Sequence, residues 1–60
     1  MMYRRHNNSD TWHWCTNCEG WPKIRGTYVE QAVPVGRRPS TGQLDDECLA
    51  MEKRGTCAPR

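Results

Sequence analysis

Apolar residues fall in short patches along this chain, and only one patch repeats with a helical period. From Thr11 to Cys15 the pattern alternates, Trp12 and Trp14 on one side and His13 and Cys15 on the other, which predicts a strand. A second strand is expected over Thr27 to Val33, where Thr27, Val29, Gln31 and Val33 face away from Tyr28, Glu30 and Ala32. Leu44, Cys48 and Met51 recur at helical spacing, so a helix is predicted from Gln43 or Asp45 to Arg54. Asp45, Asp46 and Glu47 suit its positive end, Lys53 and Arg54 its negative end, and Gly55 follows as a left-handed stop. Between second strand and helix, Pro34, Gly36, Pro39 and Gly42 rule out a regular helix and predict a loop. Residues 1–10 are polar and end in Asn7-Asn8-Ser9-Asp10, which predicts a flexible lead-in to a single domain over 11–60.

Such a pattern leaves little with which to build a core. Only 35% of the 60 residues are hydrophobic and none is Phe, so the tryptophans, Tyr3 and Tyr28 carry most of the buriable area. At about 1.5 kcal/mol of entropy lost per ordered residue, a core this lean needs a cross-link. The cysteines can supply one. In Cys15-Thr16-Asn17-Cys18 a two-residue spacing lets both thiols turn onto one metal ion, and Cys48 and Cys57 complete a set of four for tetrahedral Zn²⁺. A disulfide framework is the competing use of the same residues. No apolar stretch follows Arg4-Arg5 as a secretory signal requires, and no window reaches the roughly 20 apolar residues of a membrane span. A cytoplasmic location is therefore expected, where reduced thiols favour metal.

The order knuckle, β-hairpin of two short strands, then helix with Cys48 in its first turn predicts a small metal-nucleated α+β fold of treble-clef type, with a zinc ribbon as the alternative. Cys15, Cys18 and Cys48 are common to every version of the site. Cys57, Asp45, His13 and His6 compete for the fourth place: Cys57 offers a thiolate, and Asp45 lies three residues before Cys48 but is also a natural helix cap. Gly20, two residues after Cys18, is expected to give the tight backbone that closes the knuckle.

Several of these segments also carry a resemblance. Asp10-Thr11-Trp12-His13-Trp14-Cys15, Cys18, Trp21-Pro22, Thr41-Gly42-Gln43-Leu44, Glu47-Cys48 and Gly55-Thr56-Cys57 together resemble a family of small uncharacterised bacterial cysteine-rich proteins. In that family the stretch matching Leu44–Cys48 usually reads Leu-Cys-x-Glu-Cys, and this chain has Asp45 at the position of the first cysteine. The resemblance implies a metal-binding module and brings no activity with it.

Charge narrows the partner only slightly. The formal charge of +2 counts every thiol as neutral, and four thiolates holding one Zn²⁺ reduce it to zero. The expected role is a non-enzymatic binding module or adaptor for a larger protein, since no nucleophile–base pair stands out. Nucleic-acid binding and a thiol-redox or zinc-responsive role are the alternatives. Trp12, Trp14 and Trp21 are expected mainly in the core. Trp21, just before Pro22, is the one best placed for exposure, and Arg37 and Arg38 on the proline-bounded loop are the best placed basic residues to reach a partner.

Overall fold

The computed structural model describes residues 1–60. In chain order they form strand β1 (Met2–His6), strand β2 (Thr11–Trp12), strand β3 (Tyr28–Ala32), strand β4 (Gln43–Leu44) and helix α1 (Asp46–Arg54). The architecture is α+β: an antiparallel sheet β1–β3, a parallel sheet β2–β4 and one helix. No helix is long and apolar enough to cross a membrane.

The helix is where the sequence placed it, for the expected reasons. Asp45 caps it by accepting a hydrogen bond from the Cys48 N–H at 2.9 Å. Gly55, at φ 76°, ends it in the left-handed region. Its N–H and that of Thr56 close on the carbonyls of Glu52 and Met51, at 3.1 and 2.9 Å.

The strand pairing differs from the expected hairpin. Thr11–Cys15 does not pair with Thr27–Val33; β3 pairs with β1 instead, in the register Met2↔Ala32 to His6↔Tyr28. The supposed lead-in is thus a central strand. On its other side Arg4 and His13 exchange backbone hydrogen bonds of 2.9 and 2.7 Å. The polar look of Met2–His6 conceals this because one buried residue is charged. Arg4 is only 7% exposed, yet its Nε donates to Glu30 Oε2 at 2.6 Å and its Nη1 to the Pro22 carbonyl at 2.9 Å. Its guanidinium lies 4.7 Å from the Trp21 ring centroid and 4.2 Å from that of Tyr28. Paired and stacked in this way, a charge can be buried at little cost.

The other face of β1 turns Tyr3 onto Trp14, ring centroids 5.5 Å apart. Tyr3, Trp12, Trp14, Trp21, Val33 and Met51 form the core together with Cys15, Cys18 and Cys48. After Gly55 the chain doubles back, and Cys57 forms a disulfide with Cys15. It joins residues 42 apart, which on the chain-entropy account removes about 4 kcal/mol of unfolded-state freedom.

Candidate metal centre

Four potential ligands from three segments converge beside the knuckle. His13 follows β2, Cys18 ends the knuckle, and Asp45 and Cys48 lie at the start of α1. One donor atom from each lies within 4.8 Å of all the others. The parallel ladder explains half of this. It pairs Thr11 with Gln43 and Trp12 with Leu44, so His13 and Asp45 stand at the next rung. The Asp45 N–H donates to the Trp12 carbonyl at 3.0 Å and fixes that approach. Cys48 then follows one helical turn after Asp45. Cys18 is brought in by successive turns, its N–H on the Cys15 carbonyl at 3.0 Å and the Trp21 N–H on its own at 3.2 Å. The Glu19 N–H donates to Glu47 Oε1 at 3.0 Å and ties that turn to the helix.

The distances from His13 approach those around a tetrahedral ion. With metal–sulfur bonds of about 2.3 Å and metal–nitrogen bonds of about 2.0 Å, tetrahedral angles put S and N about 3.5 Å apart. His13 Nδ1 lies 3.5 Å from Cys18 Sγ and 4.0 Å from Cys48 Sγ. It lies 3.6 Å from Asp45 Oδ2. Burial holds His13 below the ordinary histidine value and His6 adds to this, while Asp45 and Glu47 pull the other way. Burial thus favours the neutral imidazole, the form in which histidine ligates. Burial pushes the Cys48 thiol up to about 12, backbone N–H groups of Cys15 and Trp14 oppose it, and the adjacent Cys18 raises it again. A divalent cation offsets the crowding of such donors, and the set fits one.

Gly20 completes the setting of His13, though not by the expected means. Its φ is not positive, so it serves no left-handed turn. A Cβ there would stand 2.7 Å from His13 Cε1, so the imidazole occupies the space a side chain would need. The Gly20 carbonyl also accepts from His6 Nε2 at 3.0 Å.

The expected set of four cysteines is divided. Cys18 and Cys48 are free and join the cluster, whereas Cys15 and Cys57 are bonded to each other. His13 and Asp45, read from the sequence only as competitors for one place, both lie in it. Their signal was available in the joint spacing His13-x₄-Cys18 and Asp45-x₂-Cys48. His6 stays outside, its ring edge-on to His13 at 5.9 Å.

Two residues expected to reach a partner are engaged within the chain. Trp21 is 7% exposed and lies under Arg4, so it offers no open ring for stacking. Arg38 is already engaged: it bonds Glu52 at 2.7 Å and the Tyr3 hydroxyl at 3.2 Å, and it stacks 4.8 Å from the Trp14 centroid. Arg37 is exposed and enters no ion pair. No family model matches the chain, and searches of curated proteins and of solved structures find no match either.

Proposed function

We propose that this chain is a small zinc protein whose ion is structural, held by His13, Cys18, Asp45 and Cys48, and that it serves as a binding module for a larger protein. The convergence of these four donors within 4.8 Å carries the reading. Two thiolates, an imidazole and a carboxylate gathered within 4.8 Å suit Zn²⁺ best among common divalent ions. A set in which protein atoms fill all four positions leaves none for substrate, which favours a structural over a catalytic ion. In the family pattern that the chain resembles, a cysteine stands at the position of Asp45, in keeping with a ligand there.

Support for a protein partner comes from β3. The Val33 N–H bonds to the Met1 carbonyl at 2.9 Å and the Asn7 N–H to the Thr27 carbonyl at 3.1 Å. By antiparallel alternation, residues 27, 29, 31 and 33 face β1, and Tyr28, Glu30 and Ala32 turn their backbone groups outward. No strand pairs on that side. Exposed Ile24 and Val35 lie just beyond its two ends, and Val29 within it is also exposed. An extended segment of another protein can add to such an edge, with affinity from main-chain hydrogen bonds.

Metal content is the first test. Native mass spectrometry of protein made with zinc available is expected to give one Zn²⁺ per chain, with occupancy reduced on His13→Ala or Cys48→Ser. One ion per chain retained in both variants refutes the ligand set. Ala32→Pro tests the edge, because it removes an outward N–H and leaves the inner ladder intact. A partner captured by the wild type at high salt should be lost with this variant. Capture that instead collapses with rising salt and on Arg37→Ser would favour nucleic acid.

A further inference from the structure

The disulfide and the metal centre share a wall. Cys15 Sγ lies 3.6 Å from the Cys48 carbonyl oxygen, and Cys15 opens the knuckle that Cys18 closes. The two bonded sulfurs have unlike surroundings. Cys15 is fully buried, whereas Cys57 is partly exposed and lines a cleft of about 250 Å³ with Trp14, Glu52 and Pro59. The segment after α1 that carries Cys57 rests directly on the knuckle. The Thr16 N–H donates to the Ala58 carbonyl at 2.9 Å, Asn17 Nδ2 to the Thr56 carbonyl at 2.7 Å, and the Ala58 N–H to Asn17 Oδ1 at 3.0 Å. Both residues between Cys15 and Cys18 are thus held by the segment that the disulfide anchors.

We propose that the Cys15–Cys57 disulfide is a thiol-responsive latch that sets how many sulfurs hold the metal, its opening delivering Cys15 as a third thiolate beside Cys18 and Cys48. The proposal rests on the metal reading above and adds its regulation. A low-molecular-weight thiolate such as glutathione enters by the cleft and bonds to Cys57 Sγ, the sulfur within its reach. The disulfide bond breaks and its electron pair leaves on Cys15 Sγ. A second glutathione thiol resolves the mixed disulfide, so that two glutathione thiols become one glutathione disulfide and two cysteine thiols are regenerated. Cys15 gives up its proton to solvent on binding the ion.

Asp45 is the ligand that yields. It is the only half-buried member of the four, and its Oδ2 already has a separate task in capping α1. Zinc prefers the softer thiolate, and the two-residue spacing to Cys18 is one that brings both sulfurs onto a single ion. The latch also reconciles a disulfide with a thiol-rich compartment, where it would stand open.

Cobalt(II) in place of zinc reads the sulfur count through its thiolate charge-transfer band. The protein is loaded oxidised, then exposed briefly to glutathione and desalted. Intensity per cobalt is expected to rise by about half, from two thiolates to three. Cys57→Ser should show the higher intensity without any thiol, and Cys15→Ser/Cys57→Ser the lower one under all conditions. Equal two-thiolate bands in every form overturn the latch and leave the metal reading standing. No thiolate band in any form overturns both. Peptide mapping of the wild type, quenched with an alkylating agent before the second glutathione acts, needs no folded variant: a glutathione adduct on Cys57 supports the proposal, and an adduct on Cys15 or an intact Cys15–Cys57 disulfide overturns it.

Discussion

Gly20→Ala is the sharpest single probe of the proposed metal centre, because it changes neither a proposed ligand nor a backbone requirement. The position is outside the left-handed region, so alanine brings no conformational strain. Its Cβ would stand 2.7 Å from His13 Cε1, where ordinary contact begins at 3.4 Å, so the ring must retreat by about 0.7 Å. Metal–ligand distances tolerate only about 0.2 Å. Nor can the ring retreat freely, since the backbone of His13 is fixed by its two hydrogen bonds to Arg4. Loss of affinity comparable to other outer-shell changes follows, about 10- to 100-fold, or roughly 1–3 kcal/mol. Competition against a chromophoric chelator measures it. The same substitution in a His13→Ala background should add nothing, because the obstructing ring is gone. Unchanged affinity for Gly20→Ala alone, or an equal loss in both backgrounds, would refute ligation by His13.

Other outcomes follow from the same geometry. Asp45→Asn keeps the helix cap but loses the carboxylate, so zinc affinity should fall while metal-free stability holds; Asp45→Ala should in addition cost about 1 kcal/mol in a denaturant titration. Zinc affinity should rise with pH by about tenfold per unit between pH 7 and 9 on account of Cys48 alone, since binding displaces a proton from a thiol pushed up to about 12; calorimetry in buffers of different ionisation heat counts it. Without metal the sign reverses. A thiol raised from 9.0 to about 12 by folding contributes stability below pH 9 that is lost as pH climbs toward 12, visible as a falling unfolding midpoint. Chelator together with a reductant should collapse the dispersed amide spectrum, whereas chelator alone should leave the β1–β3 resonances dispersed, because the disulfide still closes the chain.

What the sequence made legible depended on whether a residue's signal was local. Helix α1 was readable because Asp45, Gly55 and the Leu44, Cys48, Met51 spacing all act within a few residues of one another. Strand β1 was not. Its burial depends on Arg4 meeting Trp21, Pro22, Tyr28 and Glu30, partners 17 to 26 residues away whose joint effect no window around Met2–His6 contains. The cysteine pattern announced a cross-linked centre, and spacing alone could not apportion four sulfurs between an ion and a covalent bond. That division follows from the chain doubling back after Gly55, which brings Cys57 to Cys15 and leaves Cys18 and Cys48 to His13 and Asp45. Gly20 was singled out for its backbone freedom, yet it is needed for the space it leaves.

The two-rung parallel ladder between β2 and β4 bears on how fast an ion can escape. His13 and Asp45 sit just past its last rung, so separating them from each other means unzipping it. Only a few amides hold it shut, among them those of Gln43 on Asp10 and Asp45 on Trp12, at 2.8 and 3.0 Å. An opening this small is a local fluctuation that spares the core. Dissociation should therefore keep pace with solvent exchange at the Gln43 and Asp45 amides, and a bound ion should slow both together. A site read as structural at equilibrium would then hand its ion over on the timescale of one local opening rather than of global unfolding.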